Sequence, residues 1–148
     1  MEVKQFQEQK TATIRVRTPL ARLKDELGKA YGEIMGGLGS QGMAPSGAAF
    51  AIYHNMDMSD LDVEMGFIVP SPCRAQGRMK PGTLPAERTV VAVHKGPYET
   101  MEKTYNEITA FMARQKVTPR GPCYEMYLTG PGVRPEDMVT EIYFPLKE

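Results

Sequence analysis

The sequence predicts an α+β domain of two strand–helix–strand–strand units, whose strands join in one antiparallel sheet with two helices on one face and a ligand groove on the other. One observation is an internal repeat, because segment 44–53 aligns without gaps on segment 118–127 and matches its proline, glycine, tyrosine and a further aromatic position. Another is that apolar and polar residues alternate over several short segments, as in half-buried strands. Each half also contains one helical pattern that a proline opens. Two such units pair about a pseudo-two-fold axis, and small-molecule sites favour the concave seam between them.

The length of the chain is that of a single globular domain. Its 148 residues, of which 41% are hydrophobic and 24% charged, are enough to bury a core, so we expect one domain over residues 1–148. Its two repeats span about 1–70 and 86–148. Neither half is large enough to bury its own sheet face, so the segment between them is interpreted as a linker within one domain.

Charge and cysteine content disfavour several functional classes. The 18 basic and 18 acidic residues balance, so direct nucleic-acid binding is not expected. No apolar run reaches signal-peptide length or the roughly 20 residues of a membrane span, which favours a cytoplasmic protein without membrane contact. Cys73 and Cys123 form no CxxC pair and lie beside no clustered histidines, so we predict no disulfide, no metal site and no cofactor.

The first half contains one predicted helix between strands. Alternating residues before it indicate either a hairpin or one bent strand. Pro19 follows Thr18 and opens the helix, and Gly36-Gly37 is expected to end it. A polar turn then joins two strands in a hairpin. The strands predicted for this half are 3–7, 11–17, 49–55 and 62–69.

The second half repeats the same order after a linker at 70–85. This linker is rich in proline and glycine and has room for only a short strand near 77–80. Gly96-Pro97 opens the second helix, and Glu99 is placed to cap it from the third position. The last two strands form a hairpin around the turn at 129–135. The strands predicted for this half are 88–95, 123–128 and 140–146.

Glu125 is a lone carboxylate in an apolar and aromatic strand. Because strand side chains alternate, it shares one face with Cys123 and Tyr127. Its counterpart in the first repeat is Ala51, so the same strand forms elsewhere without the acid. A carboxylate among apolar groups loses solvation, which costs free energy unless it has a partner, and a cationic ligand would be one. The alternative is that Glu125 pairs with an arginine or lysine on an exposed sheet face.

Several tyrosines are candidates for the wall of the same site. Tyr53 and Tyr127 occupy equivalent repeat positions on the groove side. Tyr98 follows the second helix start, and it either points its hydroxyl into the groove or packs as a helix-end aromatic. Tyr143 alternates with its two apolar neighbours, and the sequence leaves open which set faces the groove. Aromatic faces would add cation–π attraction of about 0.5–2 kcal/mol per contact.

Other polar side chains are interpreted as structural. Helical spacing places two tyrosines in the core, and two histidines at strand ends are expected to be solvated instead of catalytic or metal-binding. Two glutamates occupy matching positions in both repeats and are expected to pair or hydrogen-bond at the sheet edge. These residues are Tyr31, Tyr105, His54, His94, Glu64 and Glu141.

Three runs of residues together resemble one family. They are His94-Lys95-Gly96-Pro97-Tyr98-Glu99, Gly121-Pro122-Cys123-Tyr124-Glu125-Met126-Tyr127 and Thr140-Glu141-Ile142-Tyr143-Phe144-Pro145-Leu146. In this order and spacing they resemble the GyrI-like, or AraC-type effector-binding, small-molecule-binding domains, over nearly the whole chain. The resemblance implies a duplicated fold that binds bulky, often cationic or aromatic ligands in a central groove. It also implies that Glu125 receives the positive charge of the ligand, and it favours Tyr143 in the wall.

Two functions follow as hypotheses. The favoured one is a binding module for a hydrophobic, cationic or aromatic small molecule, with Glu125 as counter-charge and a wall formed by Tyr53, Tyr98, Tyr127, Tyr143 and Ala51. The alternative is a hydrolase of a strained, cyclopropane-type or activated substrate, in which Glu125 is the general acid or base. Some stand-alone members that the chain resembles are such hydrolases, and another is a DNA gyrase inhibitor. A protein partner, either gyrase or a separately encoded regulator, rests on that resemblance alone.

Overall fold

The computed structural model describes residues 1–130 and 132–147; Pro131, in the predicted turn, and Glu148 lie outside the described residues. Within these ranges the chain forms eight strands and two α-helices, together with three short 3-10 segments. In chain order they are β1 (Glu2–Phe6), β2 (Gln9–Thr18), α1 (Leu23–Ser40), β3 (Ala49–Tyr53), β4 (Leu61–Ile68), β5 (Lys80–Leu84), β6 (Glu87–Lys95), α2 (Met101–Gln115), β7 (Cys123–Tyr127) and β8 (Val139–Pro145).

All eight strands belong to one antiparallel sheet in the order β1-β6-β8-β7-β3-β4-β2-β5. The order is symmetric about the β7–β3 pair, since β6, α2, β7 and β8 of the second half mirror β2, α1, β3 and β4 of the first. The predicted α+β class, with duplicated units and two helices, is therefore confirmed.

The halves exchange their first strands. β1 pairs with β6 of the second half, and β5 pairs with β2 of the first. The N-terminal segment is therefore neither the hairpin nor the bent strand that alternation indicated. The linker at 70–85 likewise contains more structure than predicted, because β5 starts at Lys80 and an isolated bridge joins Gln76 to Met79. Alternation identifies strands, but it contains no information on pairing between distant segments.

The sheet is curled so that its two ends lie near each other. Only Gln7 and Glu8 separate β1 from β2, although β1 is the first strand in the sheet order and β2 the seventh. Pro85 and Ala86 make the same short connection between β5 and β6. A two-residue connection spans at most about 11 Å, so the ends approach closely. The face inside the curl, here called the inner face, buries Leu84 of β5 among side chains of the central strands.

Both helices pack on the other face, here called the helix face. α1 buries Ala30, Ile34 and Leu38 against β2 and β4, and α2 buries Ile108 and Met112 against β6 and β8. None of the helices in the described residues is long and apolar enough to cross a membrane.

The first helix is longer than predicted. It continues through Gly36-Gly37 to Ser40. Gly37 is buried, and a Cβ there would lie 2.9 Å from the Met79 methyl. Glycine therefore allows α1 to pack closely against the residues that immediately precede β5. The glycine pair that was expected to end the helix therefore has a packing role in it.

Candidate functional site

Glu125 lies at the centre of β7, and its register partner across the seam is Ala51 of β3. These two residues are also equivalent in the repeat, so the pseudo-two-fold axis passes between them. Glu125 shares its sheet face with Ala51 and with its β8 neighbour Ile142, which are buried beneath α1 and α2 respectively. The site residue is therefore on the helix face, between the two helices. We expected the groove that contains Glu125 on the sheet face opposite the helices, and this expectation was wrong.

Two phenol groups hold the Glu125 carboxylate. The Tyr127 hydroxyl donates to Oε1 at 2.9 Å, and the Tyr105 hydroxyl donates to Oε2. Among the described residues, no arginine, lysine or histidine nitrogen lies within 4.0 Å of this carboxylate. The alternative interpretation, a surface ion pair, is therefore not what this part of the structure shows. Neutral donors therefore hold the carboxylate, with no opposite charge beside it in the part of the chain that the structure describes.

Tyrosines from both halves extend the site across the axis. The hydroxyls of Tyr53 and Tyr127, which occupy equivalent positions, lie 3.3 Å apart. The Tyr98 ring meets the Tyr127 ring edge-on with centroids 6.0 Å apart, and 49% of Tyr98 is exposed. Ala51 is completely buried beneath them. The structure thus brings together five of the six residues that the sequence predicted.

Tyr143 is the exception, because it lies on the inner face. Its hydroxyl donates to Glu141 Oε1 at 3.0 Å, and its ring packs on Phe6 with centroids 4.8 Å apart. The side chains that alternate with it, Ile142 and Phe144, belong to the core on the helix face. The placement of Tyr143 in the wall around Glu125 was therefore wrong. Sequence alternation left this choice open, and the β7–β8 register decides it.

Tyr105 is the residue that sequence reasoning missed. Its helical spacing predicted a core position, and its ring does meet Phe144 edge-on, but its hydroxyl reaches Glu125 and lies 3.6 Å from Cys123 Sγ. A comparison of the helices contained the signal. Tyr105 and Leu27 each lie eight residues after the proline that precedes their helix, so the second half has a phenol where the first has an alkyl chain. Tyr31, also predicted in the core, donates its hydroxyl to the Phe50 carbonyl at 2.8 Å.

Burial keeps the groups around Glu125 in their neutral forms. Loss of solvation raises the pKa of the Tyr105, Tyr127 and Tyr53 hydroxyls, and the nearby Glu125 carboxylate raises each pKa further. Burial also raises the pKa of the Cys123 thiol to about 12. At neutral pH the phenols are therefore hydrogen-bond donors, and they add no charge of their own.

The histidines and the first-half glutamate have structural contacts. His94 is 6% exposed and hydrogen-bonds Thr104 and the Pro97 carbonyl, which fixes the start of α2. His54 lies 3.0 Å from Glu64, which also accepts from Thr13. The expectation that the histidines are solvated was therefore wrong for His94, which is buried, whereas His54 is partly exposed. Within the described ranges, no group of three or more His, Cys, Asp or Glu residues is placed to hold a metal.

Two surface hollows in the described part of the chain lie away from Glu125. One, of about 630 Å³, lies beside the start of α1 between Arg22 and Lys29. The other, of about 310 Å³, is on the inner face beside Tyr143. At Glu125 itself the Tyr105 and Tyr127 hydroxyls contact the carboxylate directly, so a ligand that reaches this carboxylate would displace them.

Comparisons with known proteins place the chain in a family. Its sequence matches the GyrI-like small molecule binding domain over residues 1–147. No curated protein sequence matches it.

Several solved structures share the fold. The C-terminal domain of EcmrR is 22% identical, with a TM-score of 0.83 over 99% of this chain and 96% of that domain. SAV2435, solved bound to tetraphenylphosphonium, is 14% identical, with a TM-score of 0.69 over 99% and 93%. A hydrolase from Listeria innocua encoded by lin2189 is 14% identical, with a TM-score of 0.68 over 99% and 91%. The chain spans 57% of the EcmrR chain solved in complex with DNA.

The family match over nearly the whole length agrees with the duplicated, curled sheet and its two helices. The resemblance that three short runs indicated is therefore confirmed, and the chain belongs to the family of GyrI-like small molecule binding domains.

Proposed function

We propose that this domain binds hydrophobic organic cations between its two helices, with Glu125 as the counter-charge. Binding of several unlike ligands follows from the nature of the wall, because phenol and alkyl groups attract any large apolar cation without a fixed hydrogen-bond pattern. The domain would act as a cytoplasmic sensor or sequestering module.

One observation carries the proposal, namely that, within residues 1–130 and 132–147, the side-chain donors to the half-buried Glu125 carboxylate are phenol groups. An unpaired charge in a partly desolvated position costs free energy, and an incoming cation would relieve that cost. The tyrosine rings beside it would stabilise a cation further. The name of one relative supports the same ligand class, since SAV2435 was solved with tetraphenylphosphonium, a lipophilic cation.

The test is a calorimetric titration with tetraphenylphosphonium and with the uncharged triphenylphosphine oxide. For the cation, we expect E125Q to lose affinity by about 100-fold, because loss of a partly desolvated charge partner costs about 2–3 kcal/mol. For the neutral compound, wild type and E125Q should differ by less than about threefold.

A matched control comes from the same chain. Glu141 also accepts a hydrogen bond from the tyrosine two residues later, but it lies on the inner face. E141Q should therefore keep wild-type affinity for tetraphenylphosphonium. Equal binding of the cation by E125Q and wild type would contradict the role of Glu125.

A hydrolase is the second candidate, and the direct contact between the Tyr105 hydroxyl and the Glu125 carboxylate favours it. A carboxylate and a phenol in hydrogen-bond contact are able to exchange a proton with a substrate or a water molecule. Two related structures from Listeria innocua are described as hydrolases, which supports the same reaction class. Product that accumulates beyond one equivalent of protein, from a strained cyclopropane-type substrate, would establish turnover. Saturable binding without product would favour the binding module.

Macromolecular partners remain proposals. We expect no direct nucleic-acid binding by this chain, since its charges balance, and an electrophoretic shift with duplex DNA would test this. A separately encoded regulator, or gyrase, would be the protein partner, and co-purification with and without tetraphenylphosphonium would test that.

A further inference from the structure

The hollow on the inner face is the starting point for a second site. It has a volume of about 310 Å³ and is lined by residues from the β1–β2 corner, from β4, β7 and β8, and from the segments just before β3 and just after β7. This volume is at the lower end of the range for small-molecule pockets, which begins at about 300 Å³. Its lining residues include Phe6, Gln9, Met126, Glu141 and Tyr143.

Glu141 provides this hollow with one carboxylate. Its Oε1 accepts from the Tyr143 hydroxyl at 3.0 Å, and no arginine, lysine or histidine of the described ranges lies within 4.0 Å of it. The arrangement repeats that of Glu125 and Tyr127, where the same i to i+2 hydrogen bond measures 2.9 Å. The two pairs lie on adjacent strands and on opposite faces of the sheet. Each side of the sheet therefore presents a carboxylate held by phenol groups, two at Glu125 and one at Glu141.

The other walls of the hollow are aromatic and apolar. The Phe6 and Tyr143 rings pack with centroids 4.8 Å apart and an interplanar angle of 30°, and Met126 is buried at 4% exposure beside them. Such rings attract a cation through their π-electrons, and a thioether adapts to varied apolar shapes. The two glutamines of the corner, Gln7 and Gln9, are exposed and uncharged, so they add no competing cation.

From this combination we infer that the inner-face hollow is a second, independent binding site for small aromatic or alkyl ammonium cations, with Glu141 as its counter-charge. Charge complementarity determines the ligand class, and the volume limits it to compounds near the size of benzyltrimethylammonium. The sheet separates this site from Glu125, so it does not depend on the function proposed for the helix face.

The test uses methionine methyl groups as separate reporters in NMR spectra of the full chain. Met126 borders the hollow, while Met65 lies on the helix face as the register partner of Ala51. On titration with benzyltrimethylammonium, we expect a saturable shift of the Met126 methyl signal. Neopentylbenzene, the uncharged carbon analogue, should give a response at least about tenfold weaker.

Two variants separate the sites. E125Q should leave the Met126 titration unchanged, whereas E141Q should weaken it by about tenfold or more. If E141Q unfolds, Q9K replaces it, because Gln9 is exposed and a lysine there would repel the ligand and compete for Glu141. Q9K should weaken the Met126 response, and Q9E should strengthen it.

Three results would overturn the inference. They are a Met126 titration that neither E141Q nor Q9K changes, a response lost in E125Q, and a Met126 shift that depends on protein concentration without ligand. The last would show that a second copy of the chain covers the hollow. Failure of tetraphenylphosphonium to distinguish E125Q from wild type would leave these readings unaffected, so the two hypotheses fail separately.

Discussion

The second half of the molecule has Glu125 and Tyr105 where the first half has Ala51 and Leu27. The strands and helices of the two halves otherwise correspond element by element. The difference is greatest at the pseudo-two-fold axis, where equivalent residues are direct register partners. Two carboxylates there would face each other with Cβ atoms about 4.5–5.5 Å apart. Only one half can therefore carry an ionised acid, while the other provides a small apolar neighbour.

The A51E substitution tests this asymmetry most directly, and we expect it to have the largest effect. A second half-buried carboxylate opposite Glu125 should lower the free energy of unfolding by about 3–5 kcal/mol, since an uncompensated buried charge costs this much. A51Q adds similar volume without charge and should cost about 1–3 kcal/mol through overpacking. Urea unfolding at pH 7 measures both. Equal destabilisation by A51E and A51Q would show that charge at the axis is unimportant.

Moving the acid across the axis sharpens the comparison. E125A should lose tetraphenylphosphonium affinity by about 100-fold. E125A/A51E returns a carboxylate to the axis and should recover affinity to within about tenfold of wild type, although it lacks the Tyr105 contact. Calorimetry measures the three proteins. No recovery in a folded double variant would mean that the second half alone can present the acid.

The tyrosines of the two helices provide the next comparison. Y105F removes a donor from a carboxylate and should destabilise the fold by about 1.5–3 kcal/mol, whereas Y31F removes a hydrogen bond to the Phe50 carbonyl and should cost about 1 kcal/mol. Urea unfolding compares the two variants. A larger loss of unfolding free energy in Y31F would show that the tyrosine hydrogen bond of the first half contributes more to stability than that of the second.

Alkaline pH should lower the stability of the protein through Tyr105 in the second half. Burial raises the Tyr105 pKa above the unfolded value of about 10, so its stabilisation is complete below pH 10 and is lost as the pH rises further. Above pH 10 the wild type should therefore lose about 1.4 kcal/mol more per pH unit than Y105F. Unfolding at pH 8, 10 and 11 tests this, and parallel curves for the two proteins would contradict it.

The helix starts should show the smallest effect. Tyr98 and Leu20 each follow their proline directly, and about half of each side chain is exposed. Y98L makes the second half resemble the first, and it should change the unfolding free energy by less than about 0.5 kcal/mol. It should weaken binding of aromatic cations by about two- to fivefold, through loss of one exposed cation–π contact. Unchanged affinity in a calorimetric titration would exclude Tyr98 from the wall.

Local patterns in the sequence predicted much of the fold. The gap-free repeat placed β3 and β7 and identified Ala51 as the counterpart of Glu125. The two prolines indicated where each helical segment begins, although a 3-10 turn follows each proline and the α-helices start only at Leu23 and Met101. Long-range pairing was beyond these patterns, because alternation is the same whichever strand lies alongside. The exchange of β1 and β5, and the helix-face location of Glu125, therefore came only from the structure.

The site was only partly predictable for a related reason. Helical spacing indicated correctly that the Tyr105 ring faces the sheet, but it cannot show where a hydroxyl at the end of a buried ring finds its acceptor. Strand alternation likewise left Tyr143 undecided, because Tyr143 on one side of β8 and Ile142 and Phe144 on the other are all apolar or aromatic.

The exchange of β1 and β5 between the two halves has a consequence for the evolution of the molecule. A single half, cut out of the chain, would lose the strand of the other half with which its N-terminal strand pairs. Two identical copies could each pair their N-terminal strand with the sheet of the other, and they would then associate as a symmetric dimer. Fusion of two such copies into one polypeptide removes the need for both to stay identical, and only then could one centre acquire a lone acid.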